Sequence, residues 1–248
     1  MKSFNGVDIG KITKEAFQDL HKKKYQYSII QLTKKARYIS NIPNEGSIAI
    51  IDVKNKKPKN KINNKEIDVK KNNFLSFKLN KLIIESNCKI TIGIAGIKKK
   101  IKKNIIKKFK EKEIYKVIKH WGYELWINGQ VPTYSFKKIF IKKGNRTSLQ
   151  YHKKKFETNF LFKGNALMTL SKKSGKAKKE EIIKNLYMKK ISSGNFVNVN
   201  NYAIHRIKAV SDIILYEVST PHLDDVIRLA DDKKRKDGRI FTEHLKDK

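Results

Sequence analysis

Short apolar runs separated by polar turns recur along the whole chain. Residues 47–53 read SIAIIDV, and residues 213–218 read IILYEV. Runs of this length, rich in β-branched and aromatic residues and bounded by Asn, Lys, Gly or Pro, are typical of β-strands. The pattern predicts strands at residues 47–53, 74–79, 90–97, 135–141, 156–162, 182–188 and 213–218. Many short strands with little helix predict an all-β protein with a jelly-roll barrel.

One long basic stretch, residues 98–118, departs from this pattern. It reads KKKIKKNIIKKFKEKEIYKVI, and its apolar residues fall partly on one face of a helix. A basic amphipathic helix can bind a membrane surface or nucleic acid. Because the apolar stripe is short, we favour a connecting helix that packs between two β domains. The predicted domains are therefore residues 1–97, 98–118 and 119–248.

The net charge indicates which partners to expect. The chain has 248 residues and a formal net charge of +35, which taken alone indicates a polyanion such as nucleic acid. Almost all of this charge comes from lysines spread along the chain, and no nucleic-acid-binding motif occurs. We therefore predict a solvated basic surface with no nucleic-acid partner, whose positive field favours an anionic substrate.

The chain lacks the signals of a secreted or membrane protein. Cys88 is the single cysteine, so no intramolecular disulfide can form. No apolar run approaches the roughly 20 residues of a membrane-spanning helix. The opening residues, MKSFNGVDIG, lack the apolar segment of a secretory signal. We expect a cytoplasmic protein with no membrane partner.

Candidate metal ligands lie within residues 144–164, which read GNRTSLQYHKKKFETNFLFKG. Gln150 and His152 are two positions apart, so in a strand they point to the same face. The lysines at 153–155 suit a turn, and Glu157 begins the next predicted strand at the same end of the sheet. An imidazole, a carboxylate and an amide oxygen suit a divalent cation. His205, in the alternating segment VNVNNYAIHRIKAV, is a candidate fourth ligand.

These residues resemble the two motifs of the cupin superfamily. The first motif is the spacing G-x5-Q-x-H-x4-E-x6-G, and the second is a His in a strand about forty residues later. More narrowly, the chain is similar to the cupin domain of type II mannose-6-phosphate isomerases. Three stretches carry this similarity in the family's order: HWGYE at 120–124, SLQYH at 148–152 with Glu157, and EVSTPHLDDVIRLADDKKRKDGR at 217–239. The resemblance covers roughly residues 119–244 and implies a cupin barrel in the C-terminal half.

The resemblance also implies an activity. It is the aldose–ketose isomerisation of mannose 6-phosphate and fructose 6-phosphate, which feeds nucleotide-sugar or polysaccharide synthesis. Gln150, His152, Glu157 and His205 would hold one divalent metal ion, which could be zinc, manganese or cobalt. The expected partner is a phosphorylated sugar. A homodimer is compatible with the resemblance, because cupins often pair.

Three basic residues are candidates for contact with the substrate. By resemblance, Arg228 is the catalytic candidate that contacts the phosphate or the enediolate, since guanidinium groups suit phosphate. An ion pair with Asp224 or Asp225 is the alternative role for Arg228. Lys137 and Arg206 are further candidates for substrate binding.

Departures from the family pattern keep other interpretations open. The lysines at 153–155 stand where the family has His-His-Arg, and the turn before His205 lacks the family's Pro and Gly. These changes favour a non-catalytic metal- and sugar-binding cupin as the alternative function, with a polyanion-binding module as the third. Residues 63–96 resemble the second half of a cupin barrel without a His at the ligand position. The N-terminal domain is thus either a degenerate, metal-free cupin-like domain or an unrelated small β domain.

Overall fold

The computed structural model describes residues 1–11, 18–19, 25–33, 36–40, 43–54, 60–68, 70–129 and 132–244. The chain forms two compact units whose segments alternate along the sequence. The first unit consists of Met1–Lys11, Lys116–Trp126 and Lys137–Lys248, and the second of Ile12–Tyr115 and Ile127–Phe136.

Strands dominate the described residues. The first twelve are β1 (Lys2–Phe4), β2 (Val7–Lys11), β3 (Gln18–Asp19), β4 (Gln26–Leu32), β5 (Ala36–Ser40), β6 (Glu45–Val53), β7 (Asn60–Ile62), β8 (Lys65–Ile67), β9 (Asn73–Lys78), β10 (Leu82–Ser86), β11 (Ile90–Ile97) and β12 (Ile105–Lys110). The others are β13 (Tyr115–Lys119), β14 (Gly122–Trp126), β15 (Ser135–Ile141), β16 (Leu149–Tyr151), β17 (Glu157–Lys163), β18 (Asn165–Ser171), β19 (Leu186–Ser192), β20 (Asn195–Val199), β21 (His205–Ala209), β22 (Ile213–Ser219) and β23 (Ile227–Ala230). The helices are α1 (Lys179–Lys184), α2 (Phe241–His244) and a 3-10 turn at Glu111–Glu113.

The first unit contains two antiparallel sheets that share one core. The larger has the strand order β1-β2-β20-β17-β22-β15-β14-β13, and the smaller has the order β19-β18-β21-β16-β23. Leu161 and Leu215 from the larger sheet belong to the same buried cluster as Met168 and Ile207 from the smaller. Two antiparallel sheets closed on one apolar core confirm the predicted all-β barrel.

Neighbouring strands of the larger sheet are polar at one end and apolar further along. On β17, Glu157 and Asn159 share a face with Leu161, because side chains two apart in a strand point the same way. The register with β22 places Asn159 opposite Glu217 and Leu161 opposite Leu215. The strands therefore bring buried polar groups together at one end of the barrel, above an apolar floor.

The N-terminal hairpin belongs to the first unit, although it was predicted as part of the domain at residues 1–97. Strand β2 pairs with β20, and Val7 lies opposite Val199. Val7 is only 1% exposed and belongs to the core cluster of the barrel. The hairpin extends the sheet there because the side chain of Val7 removes apolar surface from water.

The second unit is also built from two antiparallel sheets. Their strand orders are β12-β9-β6-β11-β4-β3 and β5-β10-β7-β8. Strands β6, β9 and β11 confirm the strands predicted at 47–53, 74–79 and 90–97. Ile48, Leu75 and Ile92 pack in one core with Leu82 and Ile84 of the other sheet. The interpretation of this unit as a degenerate cupin-like domain stays a prediction.

The connecting helix predicted at residues 98–118 is wrong. Strand β12 occupies part of this stretch and pairs along its whole length with β9, from Ile105 opposite Lys78 to Lys110 opposite Asn73. The 3-10 turn and β13 follow. This stretch does not form a helix because its apolar residues cover a helical face only in part. As an edge strand, β12 forms backbone hydrogen bonds with β9 and leaves its lysines in water. Exposed lysines on an edge strand also discourage pairing with other chains.

The strand predicted at residues 182–188 is wrong in its first half. Residues Lys179–Lys184 form α1, and the strand β19 begins only at Leu186. Lysine and glutamate are good helix formers, and Ile182 anchors this turn in a small apolar cluster. Neither α1 nor α2, nor any other helical segment in the described part of the chain, has the length and apolarity needed to cross a membrane.

A substitution at Val7 tests the assignment of the N-terminal hairpin. We expect Val7→Ala to lower the free energy of unfolding of the first unit by about 1–2 kcal/mol, through lost burial and the cavity it leaves. Both tryptophans, Trp121 and Trp126, lie in the first unit, so urea unfolding followed by tryptophan fluorescence reports on that unit. Lys2→Ala, at an exposed position of β1, is the control and should change stability by less than about 0.5 kcal/mol. Equal stability of both variants and the wild type would contradict the pairing.

Candidate metal centre

Three strands of the first unit bring the predicted ligands to the polar end of the barrel. Strand β16 carries Gln150, which lies opposite His205, the first residue of β21. His152 directly follows β16, and Glu157 is the first residue of β17. The turn between His152 and Glu157 reverses the chain, so that predicted ligands from both sheets lie close together.

The ligand atoms converge as a metal centre requires. His152 Nε2 lies 3.2 Å from Glu157 Oε1, and His205 Nε2 lies 3.6 Å from Glu157 Oε2. One nitrogen or oxygen of each of these three buried residues lies within 4.8 Å of those of the others. Ligands about 2.1 Å from one ion lie roughly 3–4 Å apart. The spacing fits a single divalent ion.

The fourth predicted ligand, Gln150, completes the cluster. Its Nε2 lies 3.4 Å from His152 Nε2 and 3.4 Å from His205 Nε2. Its Oε1 accepts a hydrogen bond from the Ser148 hydroxyl. Rotation of the amide by half a turn would point Oε1 at the ion and let Nε2 donate to Ser148, so both orientations have a partner.

Both histidines are held with Nε2 facing the centre. His152 Nδ1 lies against the main-chain carbonyl oxygen of Asp225, and His205 Nδ1 lies 3.0 Å from that of Ala203. A carbonyl oxygen only accepts, so each Nδ1 carries the proton and each Nε2 presents its lone pair. Burial lowers the pKa of His205 to about 4, so this ring is neutral at pH 7. Neutral imidazoles with a fixed tautomer are the form that binds metal.

A lysine lies beside the carboxylate ligand. Lys153 and Lys154 are exposed, as the predicted turn requires, but Lys155 is only 5% exposed. Its Nζ donates to Glu157 Oε1 and lies 3.2 Å from Glu217 Oε1. Burial alone would lower the pKa of Lys155, but Glu157 and Glu217 outweigh it and raise the pKa. The interpretation of residues 153–155 as a solvated turn is therefore wrong for Lys155.

The same ion pair keeps Glu157 charged. Burial alone would raise the pKa of this carboxyl, but the Lys155 ammonium holds its pKa well below the usual range. A buried carboxylate retains its charge only where cations or hydrogen-bond donors compensate the lost water. Glu157 is thus ionised at neutral pH, as a candidate metal ligand must be.

Asp225 organises the turn that carries two of the cluster's side chains. Its carboxylate accepts hydrogen bonds from the main-chain N–H groups of Lys153, Lys154 and Lys155. Burial would raise the pKa of Asp225, but these three N–H groups lower it. Because its own carbonyl oxygen binds His152 Nδ1, this one residue positions both a ligand and the turn before Glu157.

The turn before His205 contains one residue with a positive φ. The residue in the left-handed region is Tyr202, with φ of 60°. Its N–H donates to the His152 carbonyl oxygen at 2.7 Å, and its ring stacks on Tyr151 with centroids 6.1 Å apart. These contacts hold a conformation that a large side chain rarely adopts.

A cavity of about 130 Å³ lies beside the cluster, and every residue that lines it belongs to the first unit. Gln150, Glu157 and His205 form part of its wall. Ile207 and Leu215 supply an apolar part of the wall. Residues of the segment after Pro221 also line the cavity.

Arg228 lies on this cavity. It is opposite Gln150 in the pairing of β16 with β23, and its Nη1 donates to the carbonyl oxygens of Lys236 and Gly238. The alternative ion pair with Asp224 or Asp225 does not form. The nearest carboxylate is that of Asp231, 4.0 Å away, and Nε has no hydrogen-bond partner among residues 1–244 where these are described. Arg228 therefore lines the cavity and keeps a buried Nε without a hydrogen-bond partner among the described residues.

The other two basic candidates lie in different places. Lys137 lines the cavity, with Nζ 3.1 Å from Glu124 Oε2 and 4.4 Å from the ring centroid of Trp126. Arg206 does not reach the cavity. Its guanidinium donates to the carbonyl oxygens of Thr147 and Ala230. As the neighbour of His205 in β21, Arg206 points to the opposite face of the sheet.

Three residues of the site were missed by the sequence analysis. They are Lys155, Asp225 and Glu217. The signal for Glu217 was its position two residues after Leu215, which puts both side chains on one face of β22. Side chains in a turn follow no regular alternation. The sequence pattern therefore could not predict the burial of Lys155 or the three N–H groups that Asp225 binds.

Solved structures with the cupin fold match this chain. A Bacillus subtilis oxalate decarboxylase, described for its Mn(II) centres, matches with a TM-score of 0.57 at 10% identity and covers 84% of this chain and 72% of that chain. Protein YlbA from E. coli matches with a TM-score of 0.59 at 9% identity and covers 89% of this chain and 86% of that chain. No protein-family model and no curated protein match the sequence. The likeness establishes the cupin fold, and with the His–Glu cluster it supports a metal-binding cupin.

Removal of the Asp225 side chain tests the turn that positions the ligands. We expect Asp225→Ala to weaken Mn²⁺ binding about ten-fold or more, because supporting hydrogen bonds around ligands typically contribute that much. The free Mn²⁺ signal in electron paramagnetic resonance measures the Kd. Asp224→Ala is the control, since Asp224 is exposed and pairs with Arg239. An unchanged Kd in Asp225→Ala would contradict the positioning role.

The lowered pKa of Glu124 predicts that its contribution to the stability of the fold depends on pH. Burial would raise its pKa, but Lys137 and Lys119 outweigh it and lower the pKa to about 2 from an ordinary 4.5. A lowered carboxyl pKa stabilises the fold above pH 4.5, and this stability is lost as pH falls toward 2. We expect Glu124→Gln to cost on the order of 2–3 kcal/mol at pH 7 and much less at pH 3, measured by urea unfolding. Glu180→Gln, at an exposed position, should cost little at either pH. A cost for Glu124→Gln that does not change with pH would contradict the lowered pKa.

Proposed function

We propose that this protein is a metal-dependent sugar-phosphate isomerase that interconverts mannose 6-phosphate and fructose 6-phosphate. The observation that carries the proposal is the meeting of a His–Glu cluster and an arginine with an unused donor in one cavity. The sequence resemblance over residues 119–244 supplies the substrate. The isomerisation moves one proton between C1 and C2 and one between the two oxygens, so it needs no oxidant or reductant.

The ligands hold a divalent ion with room for substrate. Gln150, His152, Glu157 and His205 offer four donors, which leaves one or two positions of an octahedral or five-coordinate ion for substrate oxygens. The ion supplies Lewis-acid stabilisation of the negative charge that develops on the two oxygens during enolisation. Zinc, manganese and cobalt all suit a set of imidazole, carboxylate and amide donors.

Arg228 is the cavity cation best placed to take the phosphate. Lys119 and Lys137 each contact a carboxylate at 3.1 Å or closer, and Arg235 contacts those of Asp231 and Glu243. The guanidinium of Arg228 instead contacts carbonyl oxygens and keeps Nε unused. A charge-assisted hydrogen bond from this donor would fix the anionic end of the substrate.

Glu217 is the carboxylate that we assign to proton transfer. Glu124 accepts from Trp126 and pairs with Lys137, and Glu243 pairs with Lys119 and Arg235. Glu217 lines the cavity next to the cluster and pairs with Lys155. It is therefore near the substrate carbons without being one of the metal ligands.

A non-catalytic metal- and sugar-binding cupin is the second candidate. The observation that favours it is the Lys155 ammonium on Glu157, which neutralises a ligand that the reaction requires. Stoichiometric metal and sugar phosphate binding without turnover would identify this second function.

The test is an isomerase assay with purified protein loaded with Mn²⁺, Co²⁺ or Zn²⁺. We expect conversion of mannose 6-phosphate to fructose 6-phosphate. The His152→Ala variant should lose at least about 100-fold in isomerase activity, because one of the proposed metal ligands is removed. His222→Ala, at an exposed loop position, should keep full activity. Oxalate is assayed in parallel, because one matched structure is an oxalate decarboxylase. No isomerisation with any of the three metals would contradict the proposed reaction.

A further inference from the structure

Lys155 contacts one of the two carboxylate oxygens through which Glu157 could bind a metal ion. Its Nζ donates to Glu157 Oε1, the same oxygen that lies 3.2 Å from His152 Nε2. The side chains of both partners are less than a tenth exposed. A buried ammonium and a buried carboxylate in contact compensate each other's lost hydration, so separating them is costly unless a new partner replaces each contact.

A metal ion would have to share this carboxylate with the ammonium. An ion held by His152 and His205 needs an oxygen of Glu157, since these three residues are the cluster. A divalent ion and an ammonium on the same carboxylate lie within a few ångströms of each other and repel strongly at low dielectric. A metal ion can bind Glu157 Oε1 only if the Lys155 ammonium moves away from it. An ion on Glu157 Oε2, which lies 3.6 Å from His205 Nε2, would still be repelled by the ammonium on the other oxygen.

Glu217 offers the place to which the ammonium can move. It lies 3.2 Å from Lys155 Nζ and is itself buried. Lys155 can therefore leave Glu157 without becoming an unpaired buried charge. The cost of the exchange is the lost contact with Glu157 and the repulsion that remains.

We propose that Lys155 competes with the divalent ion for Glu157 and thereby weakens metal binding at this centre. The proposal rests on the metal-binding part of the proposed function and adds the residue that sets the affinity. One lysine and two carboxylates carry a formal net charge of minus one. A bound divalent ion would change this to plus one, which would suit an anionic ligand in the cavity.

The experiment measures Mn²⁺ affinity at pH 7.5 through the free Mn²⁺ signal in electron paramagnetic resonance. We expect Lys155→Met, which keeps the length of the side chain and removes the charge, to bind Mn²⁺ at least about ten-fold more tightly than the wild type. Lys154→Met, at the adjacent exposed position, should bind within about two-fold of the wild type. The double variant Lys155→Met with Glu217→Gln removes the carboxylate that loses its partner. It should bind as tightly as Lys155→Met, and it decides the test if the single variant is unstable.

Each outcome separates this inference from the proposed function. If the wild type binds one Mn²⁺ and neither Lys155 variant binds more tightly, the competition is wrong, and the metal-dependent function still stands. If only the Lys155 variants bind, the competition is supported, and the wild-type chain is not a metal-loaded enzyme. If none of the proteins binds Mn²⁺, both proposals are wrong.

A structure of the wild type with Mn²⁺ gives a check that needs no variant. We expect Lys155 Nζ to lie beyond hydrogen-bond distance, about 3.5 Å, from Glu157 Oε1 and to keep its contact with Glu217. An ammonium that remains on Glu157 Oε1 while the ion binds the carboxylate would overturn the proposal.

Discussion

The charge of one buried carboxylate governs how the site is built. Glu157 is 4% exposed, and an ionised carboxylate at such a position needs donors or cations in place of water. The barrel supplies one such cation, Lys155, from the turn before β17. It also brings His152 after β16 and His205 at the start of β21 against the same carboxylate, where a metal ion could bind all three. Asp225, in the segment after Pro221, accepts hydrogen bonds from three N–H groups of the turn and so helps to position Lys155. The site thus depends on a set of charges that compensate one another.

Sheet geometry explains why these charges gather in one place. Side chains two apart on a strand share a face, and paired strands keep the faces in register. Glu157 and Asn159 on β17 meet Glu217 on β22, while Leu161 and Leu215 continue the same two strands into the core. The polar end can tolerate buried ions because the apolar end, with its shared core, stabilises the barrel.

Features that depend on the alternation of side chains along a strand could be predicted from the sequence. Gln150 and His152 were placed on one face because they are two positions apart, and Glu157 was placed beside them as the first residue of the next strand. His205 was added from an alternating segment later in the chain. The same rule, applied to Arg206, would have excluded it from the cavity, since it is adjacent to His205. Lys155 lies in a turn, where no period applies, so its burial could not be predicted. Residues 98–118 form strands because the pairing of β12 with β9 outweighs a weak helical stripe.

The pairing of Val7 with Val199 has a consequence for synthesis on the ribosome. The second unit is almost continuous in sequence, from residue 12 to residue 115 with one later segment, so most of it can fold while the rest of the chain is still being made. The hairpin of β1 and β2 is made before the second unit, whereas its partner strand β20 is made after it. During that interval β2 can pair with β1, but its other edge and the side chain of Val7 lack the contacts that β20 provides. That edge of β2 therefore stays exposed to chaperones, and to pairing with other chains, until β20 has been made.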